Sequence, residues 1–365
     1  MLRHGSLPVL HCDTEPVLLG DLFRGGSMHS ISFLHAPRIK FVALLLAGLC
    51  SVGASFAEYP ERRIQLVYPL TTGTPTYRVS ELIADAMSTE LGVQIIAAAK
   101  PGASGADALL AALREPADGY TVIDAYVAPL IISPLFGRVS YSCKDFIPLY
   151  SATATALGIA SRRDETRWTD MNSFLKYLKQ HPGGTRYSAG GELSMPHLVA
   201  AKLLKTLNIV SRHITFADLH EGVVELRDGN LDWLVINPGM YQSAKDNFRV
   251  LAVIGDSQES TKVYDGAKRT ADFGIQLGLD GLASKPWDWW VVKQGTPNAI
   301  VEKLRTAMAK SLAKPAIREQ LEGQGYMLTK LGPTQFQSIC ERVTQDLRGA
   351  IGAIEWEKTE ASKLK

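Results

Sequence analysis

A chain of 365 residues with 46% apolar residues, 31 glycines and 18 prolines has the composition of an ordinary globular protein, which excludes collagen-like, coiled-coil and disordered architectures. Its 39 basic and 37 acidic side chains leave a formal charge of +2, so there is no cationic surplus to neutralise phosphates and nucleic acid is not an expected partner. The length predicts about two domains.

The N-terminus reads as an export signal. Arg38 and Lys40 precede an apolar run, Phe41 to Leu49, followed by the small-x-small site Ser55-Phe56-Ala57. The run is shorter than the roughly 20 residues a membrane span needs. Leu49 disfavours a lipid anchor on Cys50, because a small residue is wanted at that position. Met28 offers an alternative start, which the residues leave open. Cleavage after Ala57 gives a mature chain from Glu58 to Lys365, carrying 35 basic and 34 acidic groups once Arg3, Arg24, Arg38, Lys40, Asp13, Glu15 and Asp21 are removed. It keeps His181, His197, His213 and His220, together with Cys143 and Cys340. These two cysteines are read equally as a disulfide or as two separate buried thiols.

The mature chain alternates strands and helices. Strand 64–68 leads to a helical pattern over 79–91, strand 93–98, helix 104–114 and strand 120–123, which predicts a parallel sheet covered by helices. A second run follows Arg162: helix 171–179, strand 185–188, helix 197–207, strand 209–214, helix 222–227, and strands 231–236 and 250–254. Strand 289–292, with Trp289 and Trp290 alternating across it, helix 298–313 and a terminal helix over about 334–356 complete the chain. The fold class is α/β, with two units in an exported chain and a cleft between them.

Three strand-to-helix loops carry the functional reading. In Pro69 to Tyr77, Thr74 is an expected N-cap with Pro75 in the first turn. In Lys100 to Asp107, Ser104 and Asp107 have capping-box spacing. Both loops belong at the carboxyl ends of strands, where open α/β sheets bind ligands, and both offer N–H groups suited to an anion. The third loop, Tyr187 to His197, has Ser194 as expected cap and Pro196 in the first turn; His197 is read as a structural residue.

The stretches Tyr59-Pro60, Pro101-Gly102-Ala103, Asp118-Gly119-Tyr120-Thr121, Lys144-Asp145-Phe146, Pro196-His197-Leu198, Asp228-Gly229-Asn230-Leu231-Asp232 and Gly295-Thr296-Pro297 occur in an order and spacing that resembles the Bug/TctC family, the extracytoplasmic receptors of tripartite tricarboxylate transporters. The resemblance covers essentially the whole mature chain. It implies a two-lobed periplasmic binding protein of the Venus-flytrap, type II-like kind, each lobe a sheet flanked by helices, with residues 58–160 and 286–365 in lobe 1 and 161–285 in lobe 2. It further implies a non-enzymatic periplasmic receptor, monomeric and without a cofactor, that clamps a small carboxylate and hands it to membrane permease subunits or to a sensor. The ligand contacts it implies are Thr71, Thr72, Gly73, Thr76 and Tyr77 in the first loop, and Ala103, Ser104 and Gly105 in the second. Tyr126 is expected beside them, and Ala189, Gly190, Ser194 and Asn237 on the second lobe.

The chain departs from the family pattern at several polar positions. Tyr77 replaces an acidic residue, Ala189 a serine, Ala217-Asp218 a Lys-Gly pair, and Ile236 an aspartate. Loss of the acid at Tyr77 argues against an amino-acid ligand. Tyr77 and Tyr126, with Trp287, point to an aromatic or otherwise apolar carboxylate; drift in a site built on main-chain contacts explains the same residues equally well. Other readings are an exported enzyme, which lacks a visible nucleophile and base, and a ligand-free scaffold filled by Tyr77 and Ile236. Gly255-Asp256-Ser257 resembles a hydrolase motif without its late histidine, and His213 and His220 lack zinc-site spacing.

Overall fold

The computed structural model describes residues 59–364 except 256, 280 and 330. The export signal read over 1–57, and Asp256 of the Gly255-Asp256-Ser257 run, lie outside the described residues. In the first half, strand β1 (Ile64–Tyr68), helix α1 (Pro75–Leu91), β2 (Ile95–Ala99), α2 (Ala106–Arg114) and β3 (Thr121–Tyr126) follow the expected alternation. Strands β1 and β2 are parallel, as are β1 and β3. The sheet is not parallel throughout, however. Strands β4 (Phe146–Thr155), β10 (Trp287–Lys293) and β11 (Tyr326–Leu328) complete it in the order β11-β4-β10-β3-β1-β2, and β10 runs antiparallel to both β3 and β4.

The second sheet repeats the plan. It has the order β7-β6-β8-β5-β9, from β5 (Gly158–Arg162), β6 (Arg186–Ser188), β7 (Arg212–His213), β8 (Trp233–Ile236) and β9 (Phe248–Val253). Strands β6, β7 and β8 are parallel, and β5 joins them antiparallel. Helices α3 (Met171–Gln180), α4 (Met195–Leu207), α5 (Glu221–Arg227) and α6 (Pro238–Ala244) connect its strands. The chain passes from the first sheet to the second at Ala156-Leu157 and returns before Trp287. After β10 come α7 (Asn298–Ala313), α8 (Pro315–Gly323) and the long α9 (Phe336–Ser362).

Strand β10 explains how two cores form on the faces of one sheet. Period-2 alternation sends Trp289 into one buried cluster and Trp290 into another, and both indoles are fully buried. Helix α9 ties the two sheets together. Cys340 near its start is disulfide-bonded to Cys143, ahead of β4, with Cα atoms 6.6 Å apart. Towards its end, buried Glu357 accepts from Tyr187 Oη on β6 and pairs with His197 Nε2 on α4 at 2.9 Å. Lys205 of α4 donates to Gly352 O at 3.0 Å.

Two carboxyl groups are buried inside the first sheet. Ser80 Oγ donates to Asp124 Oδ2 at 2.5 Å, while Thr153 donates through both N and Oγ1 to Asp288 Oδ1 at 2.8 Å. Burial first, and the neighbouring Asp288 charge second, raise Asp124 well above the carboxylate range. The folded state therefore holds this proton more tightly than the unfolded chain. Its stabilising contribution is complete below about pH 4 and is lost as the pH rises towards the raised folded value. Asp124→Asn mimics the protonated form and should stabilise the protein at pH 7. Melting curves from pH 4 to pH 8 check this: the advantage of the variant must grow with pH, and a constant or shrinking difference refutes the assignment.

Candidate cleft between the two sheets

The carboxyl ends of the parallel strands in both sheets open on one cavity of about 120 Å³. From the first sheet it is lined by Leu70 and Thr76 after β1, Ser104 after β2, and Tyr126, Val127, Ala128 and Pro129 at the end of β3. From the second come Ala189, Gly190, Gly191, Ser194, Met195 and Pro196 after β6, Ala217 to His220 after β7, and Asn237 after β8. Thr155, Leu157 and Pro286, at the passages between sheets, close it. This is the topological position where α/β sheets bind ligands.

Three helix N-termini face the cavity, and each is capped from the sequence as local chemistry dictates. Thr74 Oγ1 accepts from Tyr77 N with Pro75 at the first position of α1; Ser194 Oγ accepts from His197 N at the start of α4; Asn237 Oδ1 accepts from Met240 N at the start of α6. The capping box expected from Ser104 and Asp107 is absent. Gly105 is the N-cap of α2, Ser104 has φ +53°, and its hydroxyl donates across the cleft to Glu192 O at 2.6 Å. Residues 102–105 all have positive φ, including Ala103 at +46°. Two non-glycine residues held there store strain of about 1–3 kcal/mol each, a feature that clusters at ligand clamps.

Of the residues singled out in the sequence, Thr76, Ser104, Tyr126, Ala189, Gly190, Ser194 and Asn237 line the cavity. Thr71, Thr72, Gly73, Tyr77, Ala103 and Gly105 do not. Thr72, Gly73 and Ala103 are exposed, and Gly105 is packed so closely that a Cβ would stand 2.9 Å from Pro69 and 3.1 Å from Pro129. Tyr77 turns back along its own sheet, edge-on to Tyr68 at 5.1 Å, with its hydroxyl 3.5 Å from Ala97 O. Trp287 is buried with its indole N–H on Leu282 O, and Ile236 is buried in the second lobe's core. Neither Tyr77 nor Ile236 fills the cavity. Thr71 acts between lobes instead, donating to Asp218 Oδ2 at 2.8 Å.

The N–H groups of Thr76, Ser104 and Gly191 have no hydrogen-bond partner among the described residues and belong to cavity-lining positions. Those of Ala189 and Gly190 are taken, by His213 Nε2 at 3.3 Å and Ser188 Oγ at 3.2 Å. An anion is thus offered donors from both lobes at positive helix ends. Among the described residues no lysine or arginine lines the cavity, and much of the remaining wall is apolar: Leu70, Val127, Pro129, Leu157, Met195 and Leu219.

Sequence reasoning missed Asp218 and His220. Asp218 Oδ1 accepts from His220 Nδ1 at 2.7 Å and from His220 N at 2.8 Å. Burial pushes the carboxyl up, but the His220 and Thr71 hydrogen bonds outweigh it and hold Asp218 below the usual range. The resemblance marked Ala217-Asp218 as a departure from the family's polar pattern, but the Asp-x-His spacing at 218–220 gave no sign that Asp218 and His220 bond each other in the cleft wall.

Residues 79–346 match the family described as tripartite tricarboxylate transporter family receptor. A protein encoded in the tcbD-tcbE intergenic region of Pseudomonas sp. strain P51 is 24% identical over 83% of this chain and 90% of its own length. A TctC solute-binding protein from Polaromonas, solved without ligand, is 25% identical over 80% of this chain and 99% of that one, with a TM-score of 0.61. The Rhodopseudomonas palustris protein Rpa4515, solved with adipate, is 20% identical over 82% and 99% of the two chains, with a TM-score of 0.72. Its family is one of substrate-binding receptors and not of enzymes: this chain belongs to the tripartite tricarboxylate transporter family receptors, also known as TctC.

Proposed function

We propose that the protein is an exported, periplasmic, monomeric receptor that captures one small carboxylate with an apolar body and presents it to permease subunits or to a sensor. The observation that carries this reading is the cavity between the lobes, where N–H groups at strand-to-helix turns of both sheets, unpartnered among the described residues, stand with apolar side chains and no described lysine or arginine. The adipate held by the Rhodopseudomonas palustris relative supports the same ligand class. Capture proceeds by closure. The ligand enters between the lobes, which rotate about the two passages near residues 156–157 and 285–286, and the carboxylate exchanges water for main-chain donors. Thr71 to Asp218 and Ser104 to Glu192 O then latch one lobe to the other.

A thermal-shift screen of carboxylates tests the reading, because a ligand at 100 times its Kd stabilises the folded state by about 2.7 kcal/mol. Gly191→Trp is the matched control. Gly191 has no positive φ, and its Cβ would lie 3.4 Å from Ser104 Oγ of the opposite lobe, so an indole there wedges the cleft without straining the backbone. The variant is expected to keep its circular dichroism spectrum and lose every shift seen with the natural sequence. Equal shifts in both proteins would place binding elsewhere.

A further inference from the structure

Two buried polar atoms of cavity-lining residues have no hydrogen-bond partner among the described residues: Nε2 of His220, on the second lobe, and Oγ1 of Thr155, at the passage out of the first sheet. Thr155 is 4% exposed. A buried polar group left unpaired is costly, and such groups are nearly always satisfied by protein, water or ligand. His220 is also held in position. Its Nδ1 lies 2.7 Å from Asp218 Oδ1, and Asp218 is anchored in turn by Thr71 from the facing lobe at 2.8 Å. In the tautomer whose Nδ1–H donates to Asp218 Oδ1, Nε2 carries the lone pair and is an acceptor.

This deepens the carboxylate-receptor reading and rests on it. We propose that His220 Nε2 and Thr155 Oγ1 form the anchor for the second end of the ligand, and that this end carries a hydrogen-bond donor: the substrate class is a small aliphatic carboxylate with a terminal hydroxyl. The charge in the cleft decides between a donor and a second carboxylate. The Asp218 carboxylate stands next to His220, Glu221 Oε1 accepts from Asp218 N at 3.3 Å, and the cavity wall offers no lysine or arginine. A second ligand carboxylate would have to lie beside those charges with no lysine or arginine among the described lining residues to offset them, whereas a hydroxyl donates to Nε2 and bonds Thr155 without adding charge. The apolar lining residues suit a methylene chain.

Calorimetric titration at pH 8 tests this with matched sets of three to six carbons: the simple monocarboxylate, its ω-hydroxy acid and the dicarboxylate. The ω-hydroxy acid of the best-fitting length is expected to bind roughly tenfold more tightly than either companion. That preference should fall to near unity in His220→Ala and in Thr155→Val, whatever change in affinity the three classes share. The preference is a ratio within one protein, so a partial loss of stability does not mimic its disappearance. Tightest binding of a dicarboxylate, equal binding of the three classes, or a preference that survives both substitutions overturns the anchor and leaves the receptor reading standing. Silence from every compound overturns both.

Discussion

Acidification from pH 7 to pH 4 is expected to remove about 3 kcal/mol of stability through His213 alone, rising to about 5 kcal/mol below pH 3. Burial, and then the charges of His197 and Lys358, push this imidazole down from 6.5 to about 3. It stacks on His197 at 4.0 Å, and its Nε2 accepts from Ala189 N at 3.3 Å, so it is held as a neutral acceptor. Its folded value is depressed, so the stability it contributes is fully present above pH 6.5 and is lost as the pH falls towards 3. Protonation also removes the acceptor that fixes Ala189 in the cleft wall. His213→Gln keeps a neutral acceptor and should flatten the acid limb of the melting temperature between pH 6.5 and pH 3. An unchanged limb would assign the acid sensitivity to other groups, such as Glu165, whose Arg167 partner outweighs burial and holds it at about 2.

Loss of the Cys143–Cys340 disulfide should be at least as damaging. The two residues are 197 positions apart, and the loop they close contains the whole second sheet. In the chain-entropy account, closing a loop of that length restricts the unfolded chain by roughly 5 kcal/mol. For a chain of this size the melting temperature should fall by about 10–20 °C on reduction. The double substitution Cys143→Ala and Cys340→Ala should show the same fall and no further response to reductant. A reductant effect that persists in the double variant would contradict the assignment.

The strand-to-helix alternation was legible because β1, α1, β2, α2 and β3 have clear periodicity and strong punctuation. Thr74-Pro75 and Ser194-Met195-Pro196 announce helix starts by local chemistry, and both act as expected. Strand β4 was not legible. Its sequence, FIPLYSATAT, contains Pro148, and its second half is made of small residues with no large apolar side chain to mark a buried strand. Pro148 is tolerated because β11 pairs only with Thr153 to Thr155, which leaves the proline half of β4 without a partner on that side. Strand β7 was read too long, over 209–214: β-branched residues stand at both ends of that stretch, but only Arg212 and His213 pair.

The composition of the site divides in the same way. Loops that follow strands were found from glycines and caps, and five of the residues chosen from them, Thr76, Ser104, Ala189, Gly190 and Ser194, line the cavity. Side-chain direction within a loop was not readable: Tyr77 and Ser104 are both in ligand-facing loops, yet one turns back to Ala97 and the other crosses to Glu192. The sequence by itself determined the α/β plan, the helix caps, the three loops and, through its ordered motifs, the family. Those properties depend on residues near one another along the chain. The tertiary structure alone decided that Cys143 meets Cys340, that Thr71 meets Asp218 across 147 positions, and that Thr155 and His220 share one cavity wall. Such contacts arise from sheet order and closure of the lobes, which bring together residues whose local patterns contain no record of each other.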